Sequence, residues 1–147
     1  YTDQVRAHTL SAITRVVENL GRASGLPEDK LPKVTLLDES APATYNNPEL
    51  TDKAAAFMKP AIGADNVKFI PPVMAAEDFS HFGRTDPKIP SLLFWLGAAN
   101  PKDVARAEED GTSLPSLHSA SFAPDAQPTL KTGVKATTAT AIGLFNE

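Results

Sequence analysis

Histidines are the side chains of this 147-residue chain best suited to bind a metal or move a proton, because the chain contains no cysteine. His118 lies in the segment 117–122, after a long polar stretch and before the last predicted helix. His8 lies among polar residues, where an exposed position is expected, and His81 precedes Phe82 in a turn, where a surface or capping role is favoured. For His118 two interpretations stay open, a structural histidine or a ligand.

Two adjacent carboxylates, Glu77 and Asp78, form the second candidate group. Neighbouring residues point to opposite faces of a strand and lie about 100° apart around a helix, so this pair is poorly placed to share a proton. One interpretation is a cap at the start of a short helical turn, where acidic groups are favoured. The other is that one carboxylate faces a functional site, and the residues alone leave both open.

A hydrolytic zinc site takes three or more histidine and carboxylate ligands and keeps one position open for water. His118 and Glu77 are the only contributors suggested by the sequence, and the acidic residues between 103 and 110 are interpreted as a solvated loop. The chain by itself is therefore not expected to supply a complete metal site.

Helical periodicity predicts three elements that would position these residues. The first is a helix capped by Thr2 or Asp3, with an apolar stripe that another element must cover. The second begins at Asn47–Pro48 and should end or kink at Pro60. The third spans about 130–144. The members of the first stripe are Leu10, Ile13, Val16, Val17 and Leu20.

Three short apolar or β-branched segments, 34–37, 66–70 and 92–96, are predicted as strands. Strands alternating with helices indicate an α/β fold built on a sheet. The main boundary is expected in the turn-rich stretch 38–47, and the polar stretch 100–117 is predicted as a long loop.

The composition of the chain excludes some classes of binding partner. The chain has 14 Lys+Arg against 18 Asp+Glu and a formal net charge of −4, which argues against nucleic acid binding. No apolar run approaches the length needed to span a bilayer, so no membrane partner is expected. No signal peptide is recognised, but the chain opens at Tyr1 without Met and is expected to begin partway through a gene product. The compartment, cytoplasmic or periplasmic and secreted, stays open.

Three motifs in chain order resemble the C-terminal half of the metal-dependent amidohydrolases of the peptidase M-twenty family. This family includes hippurate hydrolases, N-acyl-amino-acid amidohydrolases and carboxypeptidase-like relatives. The segment from Thr44 to Leu50 resembles the point where that family's chain re-enters the catalytic domain. The motifs are Ala76-Glu77-Asp78-Phe79-Ser80, the run from Leu92 to Gly97, and Leu117-His118-Ser119 with Phe122.

The resemblance implies a fold and a domain division. Residues 46–147 would form the C-terminal half of a zinc-exopeptidase-like catalytic domain, an α/β sheet with flanking helices. Residues 1–45 would form the end of an α+β lid or dimerisation domain, and a homodimer through that lid is implied.

The resemblance also assigns roles to single residues. His118 matches a ligand of the family's paired metal centre, which holds zinc, manganese, nickel or cobalt. Glu77 matches a residue beside the substrate and the metal, Gly97 would permit close approach of substrate, and Asn46 would have a positioning role. The family's other ligands and its catalytic glutamate lie upstream of Tyr1, so no catalytic residue is expected in this chain.

The implied function is metal-dependent hydrolysis of an amide bond in N-acyl amino acids or small peptides, with this chain an incomplete and inactive part of the enzyme. Ser116 and Ala120 stand where the family usually has prolines, and His81 where it often has a tyrosine, which weakens any substrate assignment. One alternative is a non-catalytic binding or assembly module that retains the fold. Another is a partial chain that a second polypeptide completes.

Overall fold

The computed structural model describes residues 2–37, 40–75 and 77–147, so Asp38, where the predicted boundary stretch begins, and Ala76 of the Glu77 motif lie outside the described residues. Four α-helices are present in these ranges: α1 (Asp3–Ala23), α2 (Pro48–Ile62), α3 (Pro101–Asp110) and α4 (Ala126–Phe145). Short 3-10 helices lie at Glu28–Lys30, Ala64–Asn66 and Asp78–Arg84. The chain forms two compact units. Unit 1 contains Tyr1–Asn47 and Ile70–Ser91, and unit 2 contains Pro48–Phe69 and Leu92–Glu147.

In unit 1 the start of α1 is fixed by polar contacts. The hydroxyl of Thr2 accepts a hydrogen bond from the backbone N–H of Val5 at 3.1 Å, which confirms the predicted cap. Asp3 accepts two hydrogen bonds from Arg84, at 2.6 and 2.9 Å, and one from the backbone N–H of Ala43 at 3.3 Å. The first turn of α1 is therefore attached to the 3-10 helix Asp78–Arg84.

The apolar stripe of α1 is only partly covered by the described residues, since Leu10 and Val17 are half-buried. Ile13, Val16 and Leu20 are all exposed, and Gly21 is the only buried residue of the helix. The expectation that another element of the chain packs over this stripe is wrong for the part of the chain that is described.

Unit 2 is organised around the packing of α2 against α4. Ala54 and Ala136 are almost fully buried between them, and Met58 joins this small core. A Cβ added to Gly143 would lie 2.4 to 2.5 Å from three ring carbons of Phe57, so glycine permits the close approach of the two helices. Helix α2 continues through Pro60 to Ile62, two residues beyond the predicted end.

The α/β prediction is wrong, because the described residues contain no strand and no sheet. Segments 34–37 and 92–96 and residues 67–70 have no regular secondary structure, while Asn66 lies in a 3-10 helix. β-branched and apolar residues favour extended backbone, but a strand exists only where its N–H and C=O groups pair with another strand. These segments find no such partner in the described ranges, and Leu37, Phe69 and Trp95 are correspondingly exposed.

The predicted loop 100–117 is also corrected, since α3 occupies most of it. The side chain of Asn100 accepts a hydrogen bond from the N–H of Lys102 at 2.9 Å, Pro101 occupies the first turn, and Gly111 ends the helix in the left-handed conformation. The Asn-Pro signature is the one that correctly predicted α2. No helix in the described ranges has the length and apolar character required to cross a bilayer.

Candidate functional site

His118 occupies a tight turn between α3 and α4. The N–H of Ser119 donates to the carbonyl of Ser116 at 3.0 Å, which closes a four-residue turn with His118 at its third position. The φ of His118 is +67°, and it is the only non-glycine residue with positive φ in the described chain. A turn with positive φ at its third residue is the geometry of type II, which normally takes glycine or asparagine there.

The backbone at His118 is therefore strained by its own side chain. An L-residue in the left-handed region costs about 1–2 kcal/mol, and such strain is concentrated at functional sites. The imidazole is exposed and makes no hydrogen bond to the described residues. The described residues therefore give the imidazole no hydrogen-bonding role, and a role for His118 as a metal ligand stays a prediction.

Glu77 is the N-cap of the 3-10 helix Asp78–Arg84. Its carboxylate accepts a hydrogen bond from the N–H of Phe79 at 3.2 Å and remains exposed. The cap that was one interpretation of this pair is thus present, but Glu77 provides it, and the expectation that Asp78 is the capping residue is wrong because Asp78 is the first residue of the helix. A site role for Glu77 stays a prediction.

The two remaining predicted residues are also exposed. Asn46 lies in the loop before Asn47, whose N–H donates to the carbonyl of Ser91 at 2.9 Å. Gly97 lines a cavity of about 410 Å³ in unit 2, together with Trp95, and a Cβ added to it would meet nothing within 4 Å. The described packing therefore does not require glycine at position 97, and its substrate role stays a prediction.

The structure places these four residues in two groups. Glu77 and Asn46 belong to unit 1, and His118 and Gly97 belong to unit 2. No group of three His, Asp or Glu side chains suited to hold a metal ion occurs in the described ranges. Because a zinc site needs at least three protein ligands, these residues do not form a metal centre by themselves.

Sequence reasoning missed two features of the described structure. One is the left-handed backbone of His118, for which the sequence carries no glycine or asparagine signal. The other is Ser80, which is 4% exposed and whose hydroxyl has no hydrogen-bond partner in the described structure. The motif around Glu77 contained Ser80, but its isolation depends on how unit 1 folds around it.

Comparison with known proteins gives a family and two relatives. The family described as "Peptidase family M20/M25/M40" matches residues 10–121, a range that contains all four predicted site residues. Thermostable carboxypeptidase 2 of Saccharolobus solfataricus is 31% identical over 145 residues, which is 99% of this chain and 32% of that protein. Thermostable carboxypeptidase 1 of the same organism is 30% identical over the same share of both chains. The chain spans about a third of the length of these relatives. No solved structure matches the chain significantly.

Proposed function

Because the chain belongs to peptidase family M20/M25/M40, we propose that the intact protein, meaning the natural protein that contains these 147 residues, is a metal-dependent amidohydrolase. Its substrates are N-acyl amino acids or small peptides, and the names of the two carboxypeptidase relatives favour peptides. The observation that carries the proposal is the exposed, strained His118 inside the range that matches the family.

His118 would contribute one imidazole nitrogen to a divalent metal, zinc, manganese, nickel or cobalt, in a paired centre. The described residues supply no set of three ligands, so the remaining ligands and the general base come from outside them. A bound metal supplies Lewis acidity and an activated water in such hydrolases. This chain's contribution is then to present the imidazole from a tight turn that restrains the backbone of His118.

Glu77, Gly97 and Asn46 would lie near the substrate in the intact protein. Glu77 would act from a rigid position, since its carboxylate is already attached to the N–H of Phe79. Gly97 would leave room for the substrate on the open side of its cavity.

A homodimer is the assembly that we propose for the intact protein. The support is the row of exposed apolar side chains on α1, including Ile13, Val16 and Leu20. A helix face of this kind is normally buried against a partner. Val16→Glu should shift the mass measured by light scattering from dimer to monomer, whereas Arg15→Glu, at an exposed residue off the stripe, should leave it unchanged.

One alternative is a non-catalytic binding or assembly module that retains the fold. Hydrolysis of N-benzoylglycine and of dipeptides by the intact protein, with and without a chelator, separates the two. The amidohydrolase should lose its activity with chelation and regain it with added metal, while the 147-residue chain alone should be inactive. An intact protein that binds no metal and hydrolyses neither class under any metal supplement supports the assembly module instead.

A further inference from the structure

The 3-10 helix Asp78–Arg84 is long for its type. It has seven residues, whereas 3-10 segments of more than about four residues are uncommon because their hydrogen bonds are poorly aligned. Such a helix depends on contacts at its two ends to keep its shape. At the first end, the carboxylate of Glu77 accepts from the N–H of Phe79 at 3.2 Å, and the carbonyl of Glu77 accepts from the N–H of Ser80 at 3.1 Å.

Arg84, the last residue of the helix, provides the contacts at the other end. Its guanidinium donates to both carboxylate oxygens of Asp3, at 2.6 and 2.9 Å, and to the carbonyl of Ala43 at 2.9 Å. The N–H of Ala43 in turn donates to the carboxylate of Asp3 at 3.3 Å. These three residues, which we call the Arg84 junction, join the first turn of α1, the loop before α2 and the 3-10 helix.

The geometry of the junction distinguishes it from an ordinary surface ion pair. The side chains of Arg84 and Asp3 are 39% and 56% exposed, and simple ion pairs at such positions contribute little. Here the pair is bidentate, and both partners are also bonded to the backbone of Ala43, so the side chains are held in one arrangement. The junction therefore fixes the end of the helix against two segments that lie at least 40 residues away in sequence.

We infer that Arg84 is a positioning residue for Glu77. The inference rests on the proposed function, in which Glu77 lies near the substrate. The seven residues of the helix span about 14 Å, so Arg84 acts through the backbone and does not touch a substrate beside Glu77. Without the junction the helix would fray from its last turn, and the cap at Glu77 would lose its fixed position. The loop that carries Asn46 is restrained at Ala43 by the same junction.

Amide exchange in the 147-residue chain tests whether the junction holds the helix. Arg84→Gln should make the N–H of Ser80 exchange about fivefold faster, because opening of the helix then breaks fewer contacts. Asp3→Asn should have an effect of similar size, and the double variant should exchange no faster than either single variant. Arg22→Gln is the matched control. It breaks another bidentate pair, from Arg22 to Glu28 at 2.8 and 3.0 Å, near the other end of α1, and should leave the Ser80 rate unchanged.

Steady-state kinetics of the intact protein test the link to Glu77. With a dipeptide substrate, Arg84→Gln should raise KM about fivefold and change kcat and metal content little, because the group that it displaces binds the substrate. A purely structural role would instead reduce the amount of folded enzyme and leave KM unchanged. In a Glu77→Gln background, Arg84→Gln should have no further effect on KM, since the charge that it positions is already removed.

Three results would overturn the inference. The first is an unchanged exchange rate of Ser80 in Arg84→Gln, and the second is a lowered kcat with unchanged KM. The third is an equal rise in KM with and without the carboxylate of Glu77. Failure of the proposed function is a separate result, because the intact protein would then hydrolyse no dipeptide while the exchange rates of Ser80 would still decide whether the junction holds the cap at Glu77.

Discussion

Replacing His118 tests whether its backbone is held in a conformation that its own side chain opposes. Glycine accepts a φ of +67° at no steric cost, whereas a left-handed L-residue costs about 1–2 kcal/mol, with histidine near the lower end. Glycine also loses about 0.5 kcal/mol more backbone entropy on folding. His118→Gly should therefore stabilise unit 2 by about 0.5 kcal/mol.

Valine provides the opposite perturbation at the same position. A β-branched residue at positive φ is a steric outlier, so His118→Val should destabilise unit 2 by about 1–2 kcal/mol. The free energies of unfolding of the glycine and valine variants should then differ by about 2 kcal/mol, which a urea denaturation experiment resolves. His118→Ala should lie between them and close to the native chain.

Urea unfolding, monitored by tryptophan fluorescence, measures the order of stability of the glycine, alanine and valine variants directly. Trp95 is the single tryptophan of the chain and lies in unit 2 with His118, so its emission reports the relevant unit. The slope of free energy against urea should stay constant while the midpoint moves. A relaxed backbone at position 118 would make glycine the least stable variant and valine nearly neutral, and that reversed order would refute the reasoning.

Other substitutions test the elements that position the site. Gly143→Ala should destabilise unit 2 by about 1–2 kcal/mol, because the added methyl overlaps the ring of Phe57. Gly133→Ala should stabilise it by up to about 1 kcal/mol, because the added methyl meets only the flexible end of Leu96 and alanine favours the helix. Urea unfolding midpoints measure both effects. Asn100→Ala should cost about 1–2 kcal/mol in the same assay, because it removes both the cap of α3 and a bond to a neighbouring carboxylate. The hydrogen bond from Arg84, and to a smaller extent that from the backbone N–H of Ala43, lowers the pKa of the Asp3 carboxyl. The ionised carboxyl therefore stabilises the fold above the usual carboxyl range, and this contribution is lost as pH falls through the lowered pKa. NMR titration should find the pKa of Asp3 raised in Arg84→Gln.

Local signals predicted the long helices well. The apolar stripe with Thr2 ahead of it predicted α1, and Asn47–Pro48 predicted the start of α2, because caps and helical periodicity depend on residues near in sequence. The same Asn-Pro pair at Asn100–Pro101 begins α3, where the polarity of the stretch 100–117 led to the prediction of a loop. Helix α3 shows that a mostly solvated helix needs few apolar residues when its ends are well capped.

Features that depend on residues distant in sequence were predicted less well. The segment 92–96 has the composition of a buried strand, but sheet pairing requires a second strand that the described residues do not provide. The strain at His118 and the isolation of Ser80 likewise arise from how loops are closed, which residue type and spacing do not report. The motif resemblance identified His118 as a candidate ligand, the structure shows its left-handed backbone, and the ligand role stays a prediction.

The metal content of the intact protein tests the central claim most directly. After dialysis against metal-free buffer, the His118→Ala variant should retain one divalent ion fewer per chain than the native protein and should lose amide hydrolysis. His8→Ala and His81→Ala, at exposed histidines outside the matching motif, should retain the native metal content. Unchanged metal content in His118→Ala would contradict the assignment of His118 as a metal ligand.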